Sequence, residues 1–124
     1  MASRTAEYMA ARSAAEWRER VAAALALRTG LPARPYAPRK VSEALDNPGM
    51  GDVTGLPGIA VLARSARTLR FSEDLDRADA IAADRDDPDA LGVLVQRRQG
   101  REIGESYALV TLNTLAELIR RAES

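Results

Sequence analysis

The residues best suited to chemistry lie in one stretch, Gly51-Asp52-Val53-Thr54-Gly55-Leu56-Pro57-Gly58-Ile59-Ala60-Val61-Leu62-Ala63-Arg64. A carboxylate at the start of a strand, followed by a glycine-proline turn that lays the next strand alongside, is suited to holding a hard divalent cation. On that second strand, alternation by two places residues 62 and 64 on one face, toward Asp52. A magnesium-dependent nuclease of this geometry needs an acid at the first position to share the metal, and a lysine at the second to orient the attacking water. The chain has Leu62 and Arg64 there. Leucine cannot ligand magnesium and arginine keeps its proton at any biological pH, so neither residue supplies what such chemistry needs.

Composition removes the other common chemistries. The chain of 124 residues contains no cysteine and no histidine. Disulfides, zinc sites of cysteine and histidine, and nucleophiles activated by histidine are therefore excluded. Of 18 basic residues only Lys40 is a lysine, so a catalytic lysine has one candidate, and it stands far from the motif in sequence. The 18 acidic residues bring the formal net charge to zero, but the charges are segregated. Residues 1–70 carry +5, residues 71–95 carry −6 and residues 96–124 carry +1. One positive face for an anionic partner is compatible with that split, and bulk coating of nucleic acid is not favoured by it.

The elements that must position these residues can be read from spacing. An alanine-rich stretch from about Arg4 to Arg28, free of proline and glycine, predicts one long helix, stopped by Gly30 and Pro32. Pro32, Pro35 and Pro38 hold the next residues extended, as a connector or edge strand, and Asn47-Pro48-Gly49-Met50-Gly51 predicts a loop. Strands follow at 52–54 and 59–64. A helix capped by Ser72, with Glu73 and Asp74 in its first turn, runs to about Ala83. Strands at 91–98 and 107–112 precede a last amphipathic helix with Leu115, Leu118, Ile119 and Ala122 on one side. The expectation is one α/β domain over residues 1–124, with the N-terminal helix of residues 1–30 included. Its mixed central sheet is flanked by helices in the order α-β-β-β-α-β-β-α. The unit at 59–97 is a right-handed crossover. The longest apolar run, Val21 to Leu27, is shorter than the roughly 20 residues a membrane helix needs, and charges interrupt the N-terminal residues where a signal peptide would be apolar.

On these residues the chain resembles the PD-(D/E)xK, or restriction-endonuclease-like, superfamily, in particular the small Holliday-junction-resolvase-like proteins of phages and actinobacteria. The likeness runs from Trp17 and Arg20-Val21-Ala22, through the Gly51 to Gly58 motif, to Gly92-Val93-Leu94-Val95-Gln96-Arg97-Arg98, Ser106-Tyr107-Ala108-Leu109-Val110 and Thr111 to Ile119. It implies a restriction-endonuclease-like fold, a dimer, a bacterial or phage cytoplasmic setting and nucleic acid as the partner. The sequence departs from the family at Leu62 and Arg64, where glutamate and lysine belong, and at Arg18, where many members carry a helical acid.

Three readings follow. In the first the chain is a catalytically inactive nuclease-like protein, without cofactor, that binds DNA through Arg64, Arg67, Arg97, Arg98 and Arg101. In the second the nuclease fold serves as a structural or protein-interaction component, for example in a phage or prophage particle. In the third it is an atypical magnesium-dependent endonuclease in which Glu16 or Glu19 joins Asp52 as a metal ligand. Each residue also has a plainer role open to it. Asp52 can be loop chemistry, and Arg64, Arg67 and Arg70 a solvated edge paired with downstream acids. The run Asp84, Asp86, Asp87, Asp89 reads as a solvated connection, because it lacks the glycine and closing glutamate of a calcium loop. Trp17 and Tyr107 read as core, and Tyr36, between prolines, as available for stacking.

Overall fold

Nothing between residues 2 and 29 interrupts a helix, and alanine favours one strongly. In the computed structural model, which describes residues 2–36, 52–85 and 87–123, this stretch is helix α1 (Ala2–Thr29). Gly30 ends it with φ 74°, in the left-handed region, and donates its N–H to the Ala26 carbonyl at 3.0 Å. The side chains of α1 are described at Met9 and from Arg12 onward. Lys40, Pro38, the loop expected at 47–51 and Asp86 lie outside the described residues.

Five strands form one sheet in the order β1-β2-β3-β4-β5. Strand β1 (Arg34–Pro35) is an edge, where a proline without an N–H is tolerated, and pairs antiparallel with β2 (Val53–Thr54). The tight turn after β2 brings Gly55 against the first connector: a Cβ there would stand 2.1 Å from the Pro32 carbonyl oxygen, and its φ is 87°. Strand β3 (Ile59–Arg64) pairs antiparallel with β2 at Val53 and Val61, and parallel with β4 (Leu91–Gln96) along its whole length. Helix α2 (Phe71–Ala83) joins those parallel strands. Strand β5 (Tyr107–Leu109) pairs antiparallel with β4 and has no second strand partner among the described residues. Helix α3 (Leu112–Glu123) closes the chain, giving the expected single α/β domain with a mixed sheet.

The alternation of β3 divides the core. Val61 and Ala63 meet Trp17, Val21 and Ala22 of α1, together with Val53 and Leu56. Ala60 and Leu62 point the other way, to Ala78, Ile81 and Ala82 of α2 and to Leu94. Helices therefore cover the parallel pair on both faces, which is what its near-continuous apolar sequence requires. Helix α2 lies so close to β4 that a Cβ on Gly92 would stand 2.6 Å from the Ala78 carbonyl carbon. Asp79 is at the same contact, and burial, then the charge of Asp76, raises its carboxyl above the usual range.

Several expectations need correction. Ser72 does not cap α2. The helix begins two residues earlier than a Ser72 cap implies, with Arg70 in the capping position; no side-chain cap is made, and Arg70 instead pairs with Glu73. Strand β5 stops at Leu109 because Thr111 leaves the sheet to cap α3, its Oγ1 accepting the Thr114 N–H at 3.1 Å. Strand β4 ends at Gln96, before the turn in which Gly100 takes φ 77°. Tyr107 is exposed rather than core, stacking edge-on with Phe71 at 6.0 Å while the Arg98 guanidinium lies 4.7 Å above its ring. The amphipathic side of α3 is only partly covered: Leu118 is half-buried, but Leu115 and Ile119 are 44% and 55% exposed and Ala122 is exposed, as is Leu112 before them, while Thr114 is buried.

Candidate functional site

Asp52 sits just before β2, and its main chain is locked to β3 by a 2.8 Å hydrogen bond from its N–H to the Val61 carbonyl. Its Oδ2 accepts the Ala63 N–H at 2.8 Å. That bond aims the carboxylate at the end of β3, where Arg64 Nη1 is 3.6 Å away. The other side of the same guanidinium meets a second acid, with Arg64 Nε 3.6 Å from Asp74 Oδ1 in the first turn of α2. The second carboxylate at this site therefore comes from α2. Glu16 is an exposed partner of Arg12, and Glu19 is exposed on α1.

Leu62 lies on the same face of β3 but deeper, 2% exposed beneath α2. It offers this site neither charge nor ligand atom. The donor set does not suit magnesium: the two carboxylates converge on a guanidinium that cannot lose its proton, and one oxygen of Asp52 is already committed to a backbone N–H. Among the described residues no group of three or more acidic, histidine or cysteine side chains gathers to hold a metal.

Beside this triad a cleft of about 550 Å³ opens at the C-terminal ends of the parallel strands β3 and β4, the end of an α/β sheet where ligands commonly bind. Arg64, Arg67 and Arg97 line it, with Ser13 from α1 and Ser65 and Gln99 between and beyond the strands. The loop that carries Arg67 is fastened by two amides. Gln96, fully buried, donates to the Ala66 carbonyl at 3.0 Å, and Gln99 donates to the Ser65 carbonyl at 2.9 Å. Arg97 donates its N–H to the Arg64 carbonyl at 2.8 Å, tying the two strand ends together. Its guanidinium and that of Arg20 each lie 5.4 Å from the ring of Trp17, which is buried as expected, with an indole N–H that finds no acceptor among the described residues.

Of the five arginines singled out from sequence, three thus meet at one cleft. Arg98 and Arg101 belong to the neighbouring turn: Arg98 donates to the Glu105 carbonyl at 3.4 Å, and Arg101 is 3.6 Å from the Glu105 carboxylate. Tyr36, half-buried, continues the edge by donating its N–H to the Asp52 carbonyl at 2.9 Å. Sequence reasoning missed Asp74 as a site residue and Gln96 as a support. Gln96 carried a signal, since it is a polar residue at a core-facing step of an otherwise apolar strand. No described helix is long and apolar enough to cross a membrane. Comparison with family models, with curated proteins and with solved structures finds no match to this chain.

Proposed function

We propose that this protein binds the phosphate backbone of nucleic acid at the cleft of Arg64, Arg67 and Arg97 and does not hydrolyse it. The supporting observation is the lining itself: three arginines, from the ends of β3 and β4 and the loop after β3, with serine and glutamine donors and no acidic side chain among the described residues of the cleft wall. Guanidinium groups match phosphate oxygens with paired, charge-assisted hydrogen bonds. Hydrolysis is set aside on donor chemistry, because Leu62 is sealed in the core and Arg64 takes up the charge of Asp52 and Asp74. The restriction-endonuclease-like resemblance supports nucleic acid as the source of the phosphates. It makes branched DNA the first substrate to try.

The test is fluorescence anisotropy with labelled single-stranded, duplex and four-way-junction DNA over a range of salt. Three phosphate contacts give a log–log salt slope of about −2 on single strands to −3 on duplex. Arg67→Ala or Arg97→Ala reduces that slope by about one and weakens all sequences alike. Binding that ignores salt and both substitutions refutes the reading, and magnesium-dependent cleavage lost in Asp52→Ala refutes its non-hydrolytic half.

A second reading, a structural or protein-interaction component, is favoured by the exposed apolar residues of α3 and by the edge strand β5, which has no second strand partner among the described residues. Leu112, Leu115, Ile119 and Ala122 recur at seam spacing, and unpaired strand edges invite pairing. Sedimentation equilibrium tests self-association: Leu115→Glu shifts an oligomer toward monomer. A wild-type chain that stays monomeric at high concentration refutes self-association through this face.

A further inference from the structure

Arg64 differs from the other two cleft arginines in how its charge is held. Its guanidinium stands between two carboxylates, Nη1 toward Asp52 and Nε toward Asp74, each at 3.6 Å. These side chains are only 27%, 16% and 20% exposed for Arg64, Asp52 and Asp74, so solvent screens them less than an ordinary surface pair. The triad carries a net charge of −1, although it contributes an arginine to the cleft wall. Among the described residues, neither Arg67 nor Arg97 has a carboxylate within ion-pair distance.

The two acids are not equivalent. Asp52 is anchored from both ends, by its N–H to Val61 and by the Ala63 N–H on its Oδ2, and so belongs to the framework of the β2–β3 hairpin. Asp74 is on the first turn of α2, where the helix dipole favours a carboxylate whether or not Arg64 is near. Its charge can be removed with little cost to the sheet, and it comes from the one element of the triad outside β3 and its hairpin partner.

We propose that Asp74 is a positioning residue that sets the anion affinity of the cleft, holding Arg64 on the α2 side and offsetting its charge. This rests on the reading of the cleft as a phosphate site. Phosphate then binds chiefly through Arg67 and Arg97, and Arg64 joins only when its guanidinium exchanges Asp74 for a phosphate oxygen. The acid weakens the site and makes it selective for polyanions that reach all three arginines.

The experiment is a double-mutant cycle on the full chain, read by anisotropy of a fluorescein-labelled oligothymidylate. Asp74→Asn tightens binding by roughly three- to tenfold, in the range typical of directly coupled neighbours. In the Arg64→Gln background the same substitution has less than about a twofold effect, as expected once the partner is absent. Asp74→Glu, which keeps the charge, binds like wild type. Asp76→Asn, an exposed acid on the same helix, reports the general field and changes affinity by less than about twofold. Thermal melts of every variant show that the fold is kept. A gain in Asp74→Asn no larger than in Asp76→Asn, or one that survives in Arg64→Gln, overturns the role of Asp74. Indifference of the wild-type affinity to Arg67→Ala and Arg97→Ala instead overturns the cleft reading, and this proposal with it.

Discussion

Replacing Leu62 decides whether position 62 belongs to a catalytic face or to the core. The resemblance to nucleases puts an acid here, beside Asp52 and open to a metal, whereas the structure packs Leu62 against Ala78, Ile81, Ala82 and Leu94 with 2% of its surface exposed. Burying a leucine is worth about 1.5–3 kcal/mol in transfer alone. A sheet on one side and a closely seated helix on the other leave little room for collapse, so Leu62→Ala costs about 3.5–5 kcal/mol, the upper half of the usual range. Leu62→Gln loses the same burial and adds an unsatisfied amide, for about 1–3 kcal/mol more. Leu62→Glu adds a carboxylate whose folded pKa is raised by desolvation. Its extra penalty is therefore present at neutral pH and shrinks as pH falls through that raised value. Urea unfolding followed by fluorescence of Trp17, the single tryptophan, measures all three. If Leu62→Gln costs less than about 1 kcal/mol, a polar group is accommodated at position 62, and the core placement is refuted.

Two further outcomes follow from contacts away from the site. Gly92→Ala forces a Cβ against the backbone of α2 at 2.6 Å. Overpacking of this kind costs about 1–3 kcal/mol. At roughly 4 °C per kcal/mol for a chain of this size, the melting temperature falls by about 4–12 °C, measured by circular dichroism. Glu117 is held by hydrogen bonds from Arg120 and then Arg121, which lower its carboxyl from 4.5 to about 2. A lowered folded pKa means that its contribution is present above 4.5 and is lost as pH falls toward about 2. Glu117 is only partly buried, so the contribution weakens with salt. The difference in unfolding midpoint between wild type and Glu117→Gln should close over that interval.

Period-two alternation made much of the sheet legible. Asp52, Leu62 and Arg64 share a face because β3 is a regular strand, and its bounds at 59–64 follow from branched apolar residues between Gly58 and a polar segment. What the pattern could not supply is depth along that face. Leu62 and Arg64 differ in their surroundings because α2 covers the first and opens a cleft at the second, and that depends on where a helix far along the chain docks. The last helix shows the same gap. Spacing puts Leu115 and Ile119 on one side of it, but only the capping by Thr111 and the seating of Thr114 against the body decide that this side is only partly covered. Asp74 carried no local mark either, since acids are common in the first turn of any helix.

The segregated charge takes on a different meaning in the fold. A basic block over residues 1–70 and an acidic block over residues 71–95 invite a picture of two separate faces. At the cleft they meet instead: Arg64, at the end of the first block, is partnered by Asp74, near the start of the second. The β3–α2–β4 crossover brings them together, because the helix that follows β3 must return over the strand it left. Arg67 belongs to the same basic block, and Arg97 comes from beyond the acidic one, so the cleft draws cations from both sides of the acidic helix. Three arginines against two carboxylates leave this site a formal charge of +1, a local balance in which Asp52 and Asp74 both offset Arg64. A balance of that kind is adjustable by a single residue, which an excess of basic charge spread over a surface would not be.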